Sequence, residues 1–207
     1  MIIGLVGFIG CGKGTVADIL VNDHGFHKES FAGGVKDAAS VIFGWDRKLL
    51  EGDTEDSRVW RETPDAFWSE KLGYILTPRY ALQLMGTEAG RNVFHKNLWI
   101  HNMQRRCDVN KNYVIADVRF PNEIEEIRKS GGKIIRVRRG PEPVWFDLAE
   151  KVNKGHFALT EMYNSYPDVH FSEWAWVGGD VDAVIMNDSD LDTLANNVKS
   201  VLYSYFN

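Results

Sequence analysis

The stretch Gly7-Phe8-Ile9-Gly10-Cys11-Gly12-Lys13-Gly14-Thr15 decides the fold of this chain. It directly follows the apolar run Ile2-Ile3-Gly4-Leu5-Val6, and so predicts a strand, a glycine-rich loop and then a helix. Backbone N–H groups in such a loop point at one anion, and the positive end of the following helix adds to their attraction. Lys13 supplies a mobile charge for the outer phosphates. The pattern predicts a binding site for a nucleoside triphosphate.

One position departs from the common pattern GxxxxGK[ST]. Gly14 stands where the magnesium-binding hydroxyl is expected, and Thr15 comes one residue later. The Gly-Lys-Gly-Thr ending resembles the loop of adenylate-kinase-like nucleotide kinases. The alternative is an ordinary glycine-rich turn with an incidental lysine, which fits the flanking strand and helix less well.

Composition indicates a soluble globular protein and restricts its partners. The chain has 207 residues, of which 44% are hydrophobic and 26% charged, so we expect one domain over residues 1–207 with a modest insertion. The formal net charge of −5 argues against binding a nucleic acid polymer, but not against a small phosphorylated ligand. Two cysteines are too few for a disulfide framework, which predicts a reducing cytoplasm. We expect neither a signal peptide nor a membrane-spanning segment.

The order of apolar segments predicts an α/β fold. Strands alternate with helices, which gives a parallel central sheet with helices on both faces, in three layers, and ligands at the carboxyl ends of the strands. Regular periodicity fades between residues 44 and 78, where we expect loop and short helix. It fades again between about 140 and 179, which is typical of an insertion or lid. The strands are expected at residues 2–6, 27–31, 113–116, 134–137 and 182–186.

A second candidate site follows the strand at 113–116. Asp117 can hold Mg²⁺ through water or accept a hydrogen bond from a ligand, and Arg119 can hold phosphate in a bidentate fork. The alternative for the two is a salt bridge at the end of the strand. Glu123 faces the ligand or stabilises the first turn of its helix, and the sequence leaves both open.

A third informative stretch runs from Thr77 to Arg91. Thr77-Pro78 predicts a helix start, and Arg79 and Gln83 share one face of that helix because they are four residues apart. Gly86-Thr87 is expected to break the helix next to them. An arginine for a phosphate and an amide for a base edge predict an acceptor pocket, and a solvated polar face is the alternative.

Taken together, these segments resemble the deoxynucleoside monophosphate kinases of bacteriophages. The resemblance implies a P-loop kinase fold, and phosphorylation of deoxynucleoside monophosphates to diphosphates with ATP and Mg²⁺. It also implies a place in nucleotide metabolism for DNA synthesis in the host cytoplasm, and allows a homodimer. It is patchy over residues 44–75 and 141–168. It rests on the loop, residues 32–38 and 79–87, Trp99, Asp117-Val118-Arg119 with Glu123, and the segments 170–173 and 185–188.

The resemblance also implies which residues bind each ligand. The helical region of about 44–107 would bind the acceptor, and the region of about 140–179 would close as a lid. Catalysis would use Lys13, Arg79, Asp117 and Arg119, and the metal would contact Thr15 and Asp117. The triphosphate would contact Gly10, Gly12, Lys13, Gly14 and Thr15, with Arg138 or Arg139 from the lid side. The deoxynucleoside monophosphate would contact Val35, Lys36, Arg61 (alternatively Arg58), Arg79, Gly86, Thr87, Trp99, Asp117, Arg119 and Glu123, to which the helix face adds Gln83.

Two other kinds of protein compete with this interpretation. Another small-molecule kinase, such as one acting on a coenzyme precursor, would share the loop and the fold. A nucleotide-binding regulator is weaker, because neither Asn-Lys pair is followed by the Asp of guanine recognition and Asp117 lacks the glycine of a switch Asp-x-x-Gly. Family members can also carry basic residues inside the loop, where this chain has Ile9 and Gly10.

Overall fold

The computed structural model describes residues 1–155 and 158–206, with the side chain of residue 206 left out. By its contacts the chain divides into two compact units. The first unit comprises Met1–Ser30 and Cys107–Asn207, and the second comprises Phe31–Arg106. The expected lid of about 140–179 belongs to the first unit, and its residues 156 and 157 lie outside the described part. Nearly all of the expected acceptor region belongs to the second unit.

A five-stranded parallel sheet organises the first unit. Its strands are β1 (Ile2–Val6), β2 (His27–Glu29), β3 (Tyr113–Ile115), β4 (Lys133–Arg138) and β5 (Ala183–Met186). They lie in the order β2-β3-β1-β4-β5, so the strand that enters the glycine-rich loop is central. Ile3 of β1 lies level with Val114 of β3 and Lys133 of β4. The predicted α/β fold with a parallel central sheet is confirmed.

Helices cover both faces of this sheet because β1 alternates its side chains between two cores. The first-unit helices are α1 (Lys13–His24), α7 (Pro121–Lys129), α8 (Phe146–Asn153), α9 (Leu159–Ser165), α10 (Phe171–Trp174) and α11 (Leu191–Phe206). Ile3 and Leu5 are fully buried in one cluster with residues of α1 and α11. Gly4 faces the other way, where a Cβ atom would come within 2.6 Å of Ile127 in α7. The three predicted layers are therefore present.

The second unit is helical and has its own core. Its α-helices are α2 (Gly33–Phe43), α3 (Glu55–Glu62), α4 (Ala66–Leu72), α5 (Pro78–Gln83) and α6 (Leu98–Arg106), with a 3₁₀ turn at Leu49–Glu51. Trp45 is buried in its centre, stacks on Phe43 at 4.4 Å between ring centroids, and donates its indole N–H to Asp65 at 2.8 Å. Because the tryptophans of this region build a core, residues 44–78 fold into short helices despite their weak periodicity.

The expected helix break at Gly86-Thr87 was wrong. After α5 the chain continues without interruption into a π-helix, Leu84–Phe94. The Trp99 indole N–H donates to the carbonyl of Gly86 at 2.8 Å, and a Cβ at residue 90 would come within 2.6 Å of the same indole. Gly90 thus admits the tryptophan side chain close to the helix backbone, and the helix continues past both glycines.

Across the described residues, no helix combines the length and the apolar character needed to cross a membrane.

Candidate active site

Three positions of the glycine-rich loop, Gly7, Gly10 and Gly12, have a positive φ that favours glycine, and at two of them a side chain would also collide with its surroundings. Gly7 has a φ of 148°, and a Cβ there would run into the carbonyl of Val137 and the thiol of Cys11. Gly12 has a φ of 99°, and a Cβ there would collide with the side-chain amide of Asn187. The loop therefore passes close to β4 and to the residue after β5, and α1 begins at Lys13 directly behind it. An anion at this point meets the N-terminus of a helix of 12 residues.

Lys13 folds back onto the loop that precedes it. Its ammonium donates to the carbonyls of Gly7 at 2.7 Å and Phe8 at 2.9 Å. Burial lowers the pKa of the Lys13 side chain below its ordinary value, the charge of Cys11 raises it, Arg119 lowers it, and Glu173 raises it. An anionic ligand would replace the two carbonyls as the partner of this charge.

Asn187 ties the loop to the end of the sheet. Its side-chain amide donates to the carbonyl of Cys11 at 2.9 Å, and its backbone N–H donates to the carbonyl of Arg138 at 2.8 Å. The segment 185–188 was part of the resemblance, but sequence reasoning assigned no role to Asn187. The structure makes it a tether that fixes the shape of the loop.

The two side chains expected to contact a metal ion both belong to the first unit. Thr15 lies in the first turn of α1 and is partly exposed, as is Asp117 after β3. Asp117 accepts a hydrogen bond from the hydroxyl of Ser30 at 2.7 Å. No group of three or more His, Cys, Asp or Glu side chains able to hold a metal occurs in the described part of the chain.

Arg119 is fixed at both its backbone and its side chain. The Glu123 carboxylate accepts from the backbone N–H of Arg119 at 2.7 Å and of Phe120 at 3.0 Å. The Arg119 guanidinium donates through Nη1 to Glu173 at 2.9 Å and to the Ser172 hydroxyl at 3.3 Å. Glu123 is only 2% exposed, so its carboxylate stabilises the start of α7, which is the structural alternative that the sequence had left open.

Three arginines of the second unit share one open cavity of about 440 Å³. Arg79 at the start of α5 donates to Glu62 at 2.7 Å, and Arg61 donates through Nη1 to the carbonyl of Glu51 at 3.2 Å. Arg58, the alternative to Arg61, donates to the carbonyls of Gly52 and Asp53. The cavity is lined by Glu55, Arg58, Val59, Arg61, Glu62, Thr63 and Arg79. The structure thus brings Arg61 and Arg79 together, as expected from two separate stretches of sequence.

Glu51 connects this cavity with Lys36. Its carboxylate accepts from the ammonium of Lys36 and from the guanidinium of Arg47. Burial raises the pKa of Glu51, but the hydrogen bonds and charges of Lys36 and Arg47 outweigh it and lower the pKa overall. Since the carbonyl of Glu51 holds Arg61, this one residue positions two of the expected acceptor contacts.

The other expected acceptor residues of the second unit form a separate group. Val35 is buried, and its methyl groups lie 3.9 Å from where a Cβ of Gly86 would be. Trp99 bonds to the carbonyl of Gly86. Thr87 follows in the π-helix and Gln83 is exposed at the end of α5. Within this unit, then, Val35, Gly86 and Trp99 lie together, whereas Arg61 and Arg79 line the cavity.

Sequence reasoning missed a cluster of aromatic rings around one half-buried arginine. Arg136 of β4 bonds to both carboxylate oxygens of Glu142 at 2.7 and 2.6 Å. Its guanidinium lies 5.8 Å from the ring centroid of Phe8 and 5.0 and 5.2 Å from those of Phe146 and Trp176. Phe8 belongs to the glycine-rich loop, so this cluster joins the loop to residues of the expected lid. Alternation of apolar and charged residues in β4 hides a half-buried arginine from sequence inspection.

The two arginines expected on the triphosphate differ in their surroundings. Arg138 lies 3.1 Å from Glu142, which it shares with Arg136. Arg139 is exposed and takes part in none of the ion pairs found among the described residues. Arg138 is the last residue of β4 and Arg139 follows it, so both lie at the same edge of the sheet as the loop.

Comparison with known proteins places this site in a family. No family model matches the chain. A protein of Acanthamoeba polyphaga mimivirus, assigned as a deoxynucleotide monophosphate kinase, is 35% identical over 152 residues, which cover 67% of this chain and 74% of the viral protein. The deoxynucleoside-5'-monophosphate kinase of Escherichia phage T5 is 28% identical over 181 residues, covering 63% of this chain and 72% of the phage protein.

Among solved structures, TT1252 from Thermus thermophilus gives a TM-score of 0.46 at 18% identity, with 100% of this chain and 98% of that chain covered. The shikimate kinase of Aquifex aeolicus gives a TM-score of 0.44 at 12% identity, with 99% and 95% covered. The sequence similarity to the mimivirus protein is the stronger relationship, and by it the chain belongs to the deoxynucleoside monophosphate kinase family, as its phosphate loop and arginine-bearing segments had suggested.

Proposed function

We propose that this chain transfers the γ-phosphoryl group of ATP to the phosphate of a deoxynucleoside monophosphate, giving ADP and a deoxynucleoside diphosphate. The observation that carries the proposal is membership of the kinase family, through 35% identity over 152 residues. The same membership weighs against a coenzyme-precursor kinase and against a non-catalytic regulator. The arrangement of Lys13 on the glycine-rich loop supports the donor half of the reaction.

We assign the triphosphate of ATP to the glycine-rich loop. The backbone N–H groups of Gly10, Gly12, Gly14 and Thr15 would hold its phosphates, and Lys13 would exchange its two loop carbonyls for phosphate oxygens. Arg139, or Arg138 after release from Glu142, would add a further charge to the triphosphate.

Magnesium belongs to this proposal because the oxygen ligands fit it. A hydroxyl at Thr15 and a carboxylate at Asp117 are the hard oxygen donors that Mg²⁺ prefers, and both are partly exposed. Thr15 would contact the ion directly and Asp117 through water. When bound, Mg²⁺ neutralises part of the charge on the transferring phosphates.

We assign the acceptor phosphate to the arginine cavity of the second unit. Arg61 and Arg79 present two guanidinium groups that can each take a phosphate in a bidentate fork. Lys36, Val35, Gly86, Thr87, Trp99 and Gln83 of the same unit are proposed for the remaining acceptor contacts. In the first unit, Asp117, Arg119 and Glu123 are proposed for the same ligand, with Glu123 acting through the backbone that it holds.

The chemistry requires alignment and charge neutralisation more than a base. An oxygen of the acceptor phosphate is already a nucleophile, so it attacks the γ-phosphorus as the bond to the β-bridging oxygen breaks, and ADP leaves with that electron pair. Lys13 and Arg119 would stabilise the charge on the three equatorial oxygens. The segment of about 140–179 would exclude water and so limit hydrolysis of ATP.

Three further features complete the proposal. We place the reaction in the cytoplasm of the host cell, in keeping with the viral and phage origin of the two relatives. The chain would act on mononucleotides and not on nucleic acid polymers. The third feature is assembly into a homodimer, which light scattering of the purified chain tests.

A substrate panel tests the activity directly. The chain is assayed with ATP and Mg²⁺ against the four deoxynucleoside monophosphates and the matching ribonucleotides, with ADP release as the readout. Turnover of at least one deoxynucleotide is expected, and Lys13→Ala and Arg119→Ala should each lose most of it. The proposal is refuted by no turnover of any deoxynucleotide, or by near-normal transfer in both variants.

A further inference from the structure

Glu173 is the carboxylate that holds the side chain of Arg119. Its Oε1 accepts from Arg119 Nη1 at 2.9 Å, and the neighbouring Ser172 hydroxyl lies 3.3 Å from the same nitrogen. The side chain of Glu173 is 20% exposed and that of Arg119 43% exposed. The ion pair therefore lies near the protein surface, and the carboxylate is its more buried member.

The short helix α10 gives this carboxylate a fixed position. Trp174, the next residue, is fully buried, and its carbonyl accepts from the side-chain amide of Asn153 at 2.8 Å. The carbonyl of Glu173 itself accepts from the indole N–H of Trp176 at 3.0 Å. A side chain on such a support holds its partner in one place, which a side chain on a free loop cannot do.

The ion pair leaves one edge of the guanidinium available. Among the described residues, no hydrogen bond reaches Nε or Nη2 of Arg119, while Nη1 is bound to Glu173 and Ser172. A guanidinium can offer these two remaining donors to a single phosphate, as a fork. Fixing the backbone through Glu123 and Nη1 through Glu173 leaves the side chain little freedom to turn this edge away.

We propose that Glu173 is a positioning residue for phosphoryl transfer, which holds Arg119 so that its Nε and Nη2 donors stay ready for a phosphate. The proposal rests on the kinase function proposed above. Glu173 touches neither nucleotide in this scheme and acts only through Arg119. It explains why a segment far from the loop in sequence, residues 170–173, accompanies the loop in the family resemblance.

The test compares Glu173→Gln with a matched control. Glu173→Gln keeps the shape and one acceptor oxygen but removes the charge, and Glu161→Gln removes the same charge from an exposed position of the same segment. We expect kcat of Glu173→Gln to fall about 10- to 100-fold, the range of a lost charge-assisted hydrogen bond, with KM for ATP changed by less than about 3-fold. The control should keep the kinetics of the unchanged chain.

A further readout separates positioning from a general loss of structure. Adding Glu173→Gln to Arg119→Ala should cause little further loss, because the two side chains act as one unit.

The outcomes distinguish this proposal from the proposed function. If the unchanged chain phosphorylates no deoxynucleotide, the kinase function fails. If it does so and Glu173→Gln behaves like Glu161→Gln, the positioning role alone is refuted. Should Glu173→Gln not fold, Glu173→Asp replaces it: the shortened carboxylate should lower kcat with KM for ATP changed by less than about 3-fold, and an unchanged kcat would overturn the proposal.

Discussion

Replacing Glu123 by alanine removes a buried carboxylate whose task is to begin a helix. Glu123 is 2% exposed, and one of its oxygens accepts from the backbone N–H groups of both Arg119 and Phe120. The side chain of Phe120, which precedes α7, cannot accept a hydrogen bond, so Glu123 supplies the side-chain acceptor of the capping box. Glu123→Ala therefore leaves two backbone donors without this partner.

The expected loss of stability follows from those two bonds. Each lost hydrogen bond to a charged acceptor costs about 1.5–3 kcal/mol, and water reaching the half-buried Arg119 side recovers part of it. Two such bonds would cost about 3–6 kcal/mol, and after this recovery we expect the free energy of unfolding to fall by about 3 kcal/mol. This loss exceeds the cost of about 1 kcal/mol for an ordinary helix cap. For a chain of this size that is a decrease in Tm of about 6–12 °C.

Urea denaturation followed by circular dichroism measures this change. The matched control is Glu125→Ala on the same helix, where a largely exposed carboxylate pairs with Lys129 and about 0.5 kcal/mol or less is at stake. Equal stability of Glu123→Ala and Glu125→Ala would refute the capping role and return Glu123 to a direct contact with the acceptor.

Three further predictions concern other parts of the molecule. In the unchanged chain, kcat/KM for ATP should fall with rising pH already below the ordinary lysine pKa of 10.5, because burial lowers the pKa of Lys13 and only its charged form attracts phosphates; an alkaline limb at or above that value would contradict this. Trp99→Phe, which removes the donor to the Gly86 carbonyl, should cost the second unit about 1 kcal/mol in urea denaturation, and an unchanged midpoint would count against it. Arg136→Met should cost about 1.5–3 kcal/mol, because the half-buried Glu142 loses two hydrogen bonds and keeps only its ion pair with Arg138, whereas Arg136→Met/Glu142→Gln should recover part of that loss; a double variant no more stable than the single one would be inconsistent with the ion pair.

The sequence predicted those parts of the fold that local chemistry specifies. The strand, loop and helix around Lys13 follow from apolar residues and glycines within about one turn of each other, and Thr77-Pro78 marks the start of α5 through a hydroxyl that accepts from the backbone of Tyr80. Arg61 and Arg79 were expected in one acceptor pocket although they come from different segments, and the structure places both on one cavity.

The parts that sequence reasoning missed depend on partners distant in the chain. Glu173 meets Arg119 across 54 residues, and no local pattern reports such a pairing. The sequence predicts a break at Gly86-Thr87 because glycine commonly ends helices. The π-helix instead continues over 84–94, and the close approach of the Trp99 indole accounts for the glycine at position 90. Contacts between residues so far apart in the chain can be identified only from the tertiary structure.

The tether at Asn187 has a consequence for the order in which the chain becomes functional during synthesis. Asn187 holds the loop carbonyl of Cys11 across 176 residues, whereas the second unit, Phe31–Arg106, is continuous in sequence. A ribosome therefore releases the whole second unit while the first still lacks β4, β5 and the tether, although the complete glycine-rich motif was made first. Nucleotide binding should thus be among the last properties that a growing chain acquires, and a chain that terminates before Asn187 should carry the motif without holding ATP.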